Sequence, residues 1–95
     1  MTEERITCCV YRCRKQPEMY LYLRADLDPD GEDVLPIALR QRTGHLERAM
    51  ELELHPGLAL ARVDVRSVLA ALTDTGWYLQ MPPAEQFQGH LYRGD

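Results

Sequence analysis

The chain predicts an α+β fold in which four strands form one mixed sheet with helices packed on it, and three observations predict it. Alternating apolar runs recur at 6–11, 19–23 and 49–54, each with the two-residue period of a strand. One segment, 65–75, instead carries Val65, Val68, Leu69 and Leu72 at i, i+3, i+4 and i+7, the apolar stripe of a helix. Gly44, Gly76 and the Pro82-Pro83 pair punctuate these segments where a chain changes direction. The expected order is β-β-α-β-α-β, with a last short helix after the prolines.

Ninety-five residues support a single domain spanning 1–95. A domain this short removes only about two-thirds of its surface from water, so a homodimer is physically reasonable. The net charge of −4 and pI near 5.3 argue against non-specific nucleic-acid binding, yet allow a local basic patch. The acidic start Met1-Thr2-Glu3-Glu4-Arg5 is unlike a secretory signal. The longest strictly apolar run, Val68 to Leu72, is far short of the ~20 residues that cross a bilayer. No membrane association is expected, and the cytoplasm is the expected compartment. Three cysteines without a paired spacing agree with reducing surroundings.

The first strand sets Ile6, Cys8 and Val10 on one face and Thr7, Cys9 and Tyr11 on the other. A polar turn containing Pro17 leads into the second, where Met19, Leu21 and Leu23 oppose Tyr20 and Tyr22, so the pair reads as a hairpin. After an acidic loop, a short helix is expected, capped near Asp33, with Pro36 in its first turn. Leu35, Ala38 and Leu39 form its stripe, Arg40 and Arg42 its basic last turn, and Gly44 its left-handed exit. In the third strand Met50, Leu52 and Leu54 point inward while Glu51 and Glu53 point out, marking a wet face or an edge. Asp64 is a good N-cap for the helix that follows. Gly76-Trp77-Tyr78-Leu79-Gln80-Met81-Pro82-Pro83 is apolar on both faces and reads as a central strand, paired on both flanks. Ala84 to Tyr92 could close the chain as an amphipathic helix through Phe87 and Leu91.

With the elements in place, the chain resembles the YcgL domain family, small bacterial proteins whose biochemical role is not established. The resemblance runs over about residues 8–87. Cys8, Val10-Tyr11-Arg12, Lys15 and Tyr20-Leu21-Tyr22 match the opening hairpin; Pro36, Leu39 and Gly44 match the first helix. Leu52, Leu54, Leu60, Asp64, Val65 and Val68 match the middle, and the Gly76 to Pro83 segment is the most specific piece. The resemblance implies an α/β/α sandwich around a mixed sheet, and it brings no catalytic residues. Cys13 stands where serine is usual, Thr43 where an aromatic is usual, and Glu51 and Glu53 where the pattern is more apolar.

Chemistry-bearing constellations are few. Asp26-x-Asp28-x-Asp30-Gly31 fits the opening of an EF-hand loop, but position 12 is Ile37 where a bidentate glutamate belongs. A solvated acidic loop is the better reading, and neither a metal nor a cofactor is expected. Cys8 and Cys9 point to opposite faces and cannot share an ion; they read as small apolar residues. Cys13, beside Arg12, Arg14 and Lys15, is the candidate reactive thiol, since nearby cations favour the thiolate. His45, His55 and His90 lie near turns without an i,i+4 partner, and the only serine, Ser67, sits within a helix rather than in a GxSxG elbow.

The remaining cluster, Tyr11, Arg12, Lys15, Tyr20 and Tyr22 together with Gln80, Pro82 and Pro83 at the exit, is the candidate binding surface. Aromatics and arginines favour protein interfaces. The same set could stack bases and hold phosphates of RNA or another single strand. Against both stands the reading that an α/β/α arrangement favours, in which helices cover this face and the rings are core, with their hydroxyls partnered at its margin. The expected function is a non-catalytic interaction or regulatory domain with a protein partner. RNA binding is the alternative, and an enzyme with a site formed across a dimer is the third possibility.

Overall fold

The hairpin of tightly alternating strands is the frame on which the rest is built. The computed structural model describes residues 5–28, 35–60 and 63–82. The elements are β1 (Ile6–Cys13), β2 (Tyr20–Arg24), α1 (Ile37–Thr43), β3 (Leu46–Leu54), α2 (Val65–Asp74) and β4 (Trp77–Gln80). The α+β class and the order of these six agree with the sequence reading. The proposed last helix and residues 29–34 of the acidic loop lie outside the described residues.

The sheet runs β3-β1-β2-β4. All three neighbouring pairs are antiparallel, which corrects the expectation of a mixed sheet. The connections explain this. β2 and β3 run in the same direction, but β3 joins the free edge of β1, so the two are never neighbours.

Both faces are covered. Cys8, Val10, Tyr22 and Leu54 form one core with Val65, Val68, Leu69 and Leu72 of α2. Cys9, Tyr11, Cys13, Met19, Leu21 and Leu23 form the other with Leu35 and Leu39 beside α1. Burial of each large aliphatic side chain contributes about 2 kcal/mol.

The expected central position of the tryptophan strand is overturned. Among the described residues β4 pairs with β2 alone and lies at the end of the sheet, with Trp77 half-buried. Its apolar residues on two faces answer to helix-side cores above and below: Tyr78 packs in one, Trp77 and Leu79 in the other. Two covered faces do not require two paired flanks. β1 and β2 are the central strands.

The helices depart little from their patterns. Pro36 is the N-cap of α1 rather than part of its first turn: its φ of −59° would suit a helix, but its ψ of 150° is extended, so helical backbone starts at Ile37. Ala38 is exposed, leaving Leu35 and Leu39 to anchor the segment. Gly44, at φ 67° and ψ −148°, ends the helix in backbone space that is essentially glycine's, and its N–H donates to Arg40 O. In α2, the Asp64 carboxylate accepts from Arg66 N at 3.1 Å, as an N-cap should.

Candidate functional site

A β-bulge creates the most distinctive local geometry. Val10 pairs with Met50 and Tyr11 with Arg48, so Ala49 is the extra residue in β3. One inserted residue reverses the face assignment of everything beyond it. Leu52 and Leu54 pack on the α2 face, opposite Cys8 and Ile6, whereas Met50, opposite Val10 and expected to point inward, is exposed. Before the bulge, Arg48 and Leu46 instead lie with Tyr11 and Cys13 on the α1 face.

That reversal helps build a cleft of about 420 Å³ between β3 and the end of α1. Leu35, Leu46 and the Tyr11 ring give it an apolar wall, and Arg40, Thr43, Gly44, His45 and Arg48 complete the lining. Arg40 comes from α1, His45 from the turn and Arg48 from β3. Arg48 has Glu51 as an ion-pair partner at 3.7 Å, with both side chains more than half exposed; such a pair is worth at most about 1 kcal/mol. Burial pushes the Tyr11 phenol above its usual range, the neighbouring Cys9 adds to the shift, and Arg48 opposes it.

The hairpin turn braces this end. Arg14 N donates to His45 O and Lys15 N to Thr43 O, while Lys15 Nζ reaches Gln41 O at 2.9 Å. A Cβ on Gly44 would lie 3.1 Å from Lys15 Cβ, so the turn packs directly against the end of the helix. Arg12 and Arg14 both hold Glu47, at 3.3 and 3.5 Å.

The candidate surface read from the sequence is not one surface. Tyr11 and Tyr22 are buried on opposite faces. Gln80 is buried and accepts the Tyr22 hydroxyl at 2.9 Å, and the Tyr22 ring meets Tyr78 edge-on at 6.0 Å. Tyr20 is half-buried between Arg12 and Gln80. Pro82 is buried and Pro83 lies outside the described residues. Arg12 and Lys15 remain exposed. The rings therefore belong to the cores, because helices cover both faces of the hairpin.

Cys13 is likewise corrected as a reactive thiol. It is 1% exposed, and burial pushes its thiol up to about 11. Strand alternation turns it inward, while Arg12 and Arg14 turn to Glu47, so the adjacent cations never reach the sulfur. Cys8 is raised to about 11 as well, chiefly by burial. Asp26 of the acidic loop is paired with Arg24 at 2.8 Å, a hydrogen bond that lowers its carboxyl. No group of three or more metal-ligating side chains occurs among the described residues, and no described helix is long and apolar enough to cross a membrane.

The sequence reading missed Arg40, His45 and Arg48 as a group. Arg40 was legible only as a helix-end cation and His45 only as a turn residue. Arg48 gave no sign at all, since plain alternation would have placed it on the α2 face.

Comparison with known proteins supplies the remaining observation. The YcgL domain family model matches residues 8–83. A YcgL domain-containing protein of Thioalkalivibrio sulfidiphilus is 42% identical over 77 residues, covering 81% of this chain and 91% of the relative. One from Pseudomonas putida is 41% identical over 85 residues, covering 88% and 84%, and one from Proteus mirabilis is 38% identical over 88 residues, covering 93% and 88%.

Proposed function

The chain belongs to the YcgL domain family, and from that premise we propose that it is a small cytoplasmic, non-catalytic binding module that engages a partner protein at the α1–β3 end. The observation that carries this reading is the convergence of Arg40, His45 and Arg48 on one cleft in a chain whose net charge is −4. A locally basic concavity on an acidic protein selects an anionic group and orients the encounter. The obvious nucleophiles support a binding role over a chemical one, since Cys8 and Cys13 are buried and held as thiols. Three free cysteines fit a reducing compartment.

A photo-crosslinker placed at Gln41, exposed on α1 beside the cleft, tests the proposal in cells. The expected result is one protein adduct that survives nuclease and is lost in the Arg40→Ala/Arg48→Ala variant. An adduct pattern indifferent to both arginines would overturn it. RNA is the second reading, favoured by exposed Arg12, Arg14 and Lys15 at the hairpin turn. It requires a salt-sensitive mobility shift with single-stranded RNA that Arg12→Ala or Lys15→Ala abolishes.

A further inference from the structure

We propose that the cleft is a phosphate-monoester site, in which Arg40 and Arg48 clasp the phosphoryl oxygens and the apolar wall receives the body of the ester. The inference rests on the binding-module reading and names the group that the cleft selects.

Size and lining come first. A volume of about 420 Å³ lies in the range of small-ligand sites, which are apolar in body with a few convergent polar groups. Leu35, Leu46 and the Tyr11 ring supply the apolar part, and the polar part comes from two guanidinium groups and an imidazole.

Donor count then separates phosphate from carboxylate. One guanidinium fork satisfies a carboxylate in bidentate fashion. Arg40 of α1 and Arg48 of β3 both line the cleft, and a pair of guanidinium groups suits a tetrahedral dianion with three terminal oxygens. Arg48 is held by Glu51 at 3.7 Å in an exposed pair, so an incoming dianion displaces little.

Arg48 reaches this face only because Ala49 is bulged, and bulges commonly re-aim a side chain beside a working site. Gly44 brings His45 round in a backbone conformation reserved for glycine. Both local irregularities flank the same cleft.

The test is a titration of the full chain, followed by amide NMR, with phenyl phosphate, inorganic phosphate, benzyl alcohol and a phosphotyrosine peptide. Phenyl phosphate is expected to move the amides of Arg40, Gly44, His45 and Arg48 saturably, and to bind more tightly than inorganic phosphate. Benzyl alcohol should leave them in place. Arg40→Ala and Arg48→Ala should each weaken binding about tenfold or more, while Arg66→Ala, which removes the same charge from α2, should not. Arg48→Lys should recover only part of the loss, because it restores charge without the fork. Tighter binding of the peptide than of phenyl phosphate assigns the ester to a protein partner, and the reverse assigns it to a free small molecule. Shifts centred on Arg12, Arg14 and Lys15, or affinity unchanged in the folded Arg40→Ala/Arg48→Ala variant, would overturn the proposal. If phenyl phosphate fails to bind while the Gln41 adduct still depends on both arginines, the binding module stands and only the phosphate assignment falls.

Discussion

Raising the pH should expose the buried thiols as a stability liability. Cys8 and Cys13 are 0% and 1% exposed, and each is pushed from an ordinary 9.0 to about 11, mainly by loss of hydration. At pH 8 an unfolded thiol is about one-tenth thiolate, whereas the native one is about one-thousandth, a difference of about 100-fold in the nucleophilic form. Iodoacetamide should therefore modify Cys8 and Cys13 at least about 100-fold more slowly in native than in urea-unfolded protein, read peptide by peptide by mass spectrometry. Folding holds these protons more tightly, so their contribution is complete below pH 9 and is lost as the pH climbs from 9 to 11. Two pH units correspond to at most about 3 kcal/mol per thiol, and urea midpoints should fall through that window. Native Cys13 alkylated as fast as the unfolded chain, or midpoints flat from pH 9 to 11, would refute the inward placement of this residue.

Three further outcomes are expected. Gly76→Ala should cost about 1–2 kcal/mol for φ 96° alone, and the new Cβ would meet Leu27 Cδ1 at 2.6 Å. Pairing it with Leu27→Ala should therefore cost less than the sum of the single changes in urea titrations. Asp64→Ala should destabilise by about 1 kcal/mol through loss of the cap on Arg66 N, with Asp64→Asn near wild type in thermal unfolding. Tyr22→Phe should cost about 1–2 kcal/mol by removing the donor to buried Gln80, and amide exchange should show Trp77–Gln80 opening more readily.

The elements were legible because periodicity survives in a single sequence, and what was missed is what periodicity does not encode. Val65, Val68, Leu69 and Leu72 named their helix and its buried face correctly. Glu51 and Glu53 marked a wet face or an edge, and β3 lies at the end of the sheet. Trp77 to Leu79, apolar on both faces, could not distinguish a central strand from an edge strand covered above and below. The first residues of β3 escaped for a related reason. Leu46 keeps the parity of Leu52 and Leu54 in the sequence, yet the bulge at Ala49 turns it to the opposite core. Arg48 changes face with it, so the cleft was invisible to any reading that assumed regular alternation. Tyr11 and Lys15 were singled out from the sequence, but for a surface that the cores divide.

The charges of β3 bear on how a partner approaches. Glu47 is held by Arg12 and Arg14, Arg48 by Glu51, and Glu53 by Arg5 at 3.6 Å. All these pairs are roughly half exposed or more, so they add little to stability. They do set charged side chains along a nine-residue edge, a common protection against unwanted strand addition. Only Met50, 51% exposed, offers a large apolar contact within that edge. A partner that added a strand to β3 would have to accommodate both signs of charge at close spacing while supplying its own backbone register. A partner presenting an anion to the cleft supplies no backbone register and meets, at Arg48, an exposed pair with Glu51. Charge on this strand thus discourages strand addition at β3 and leaves the basic cleft accessible, which favours the cleft over the β3 edge for the proposed association.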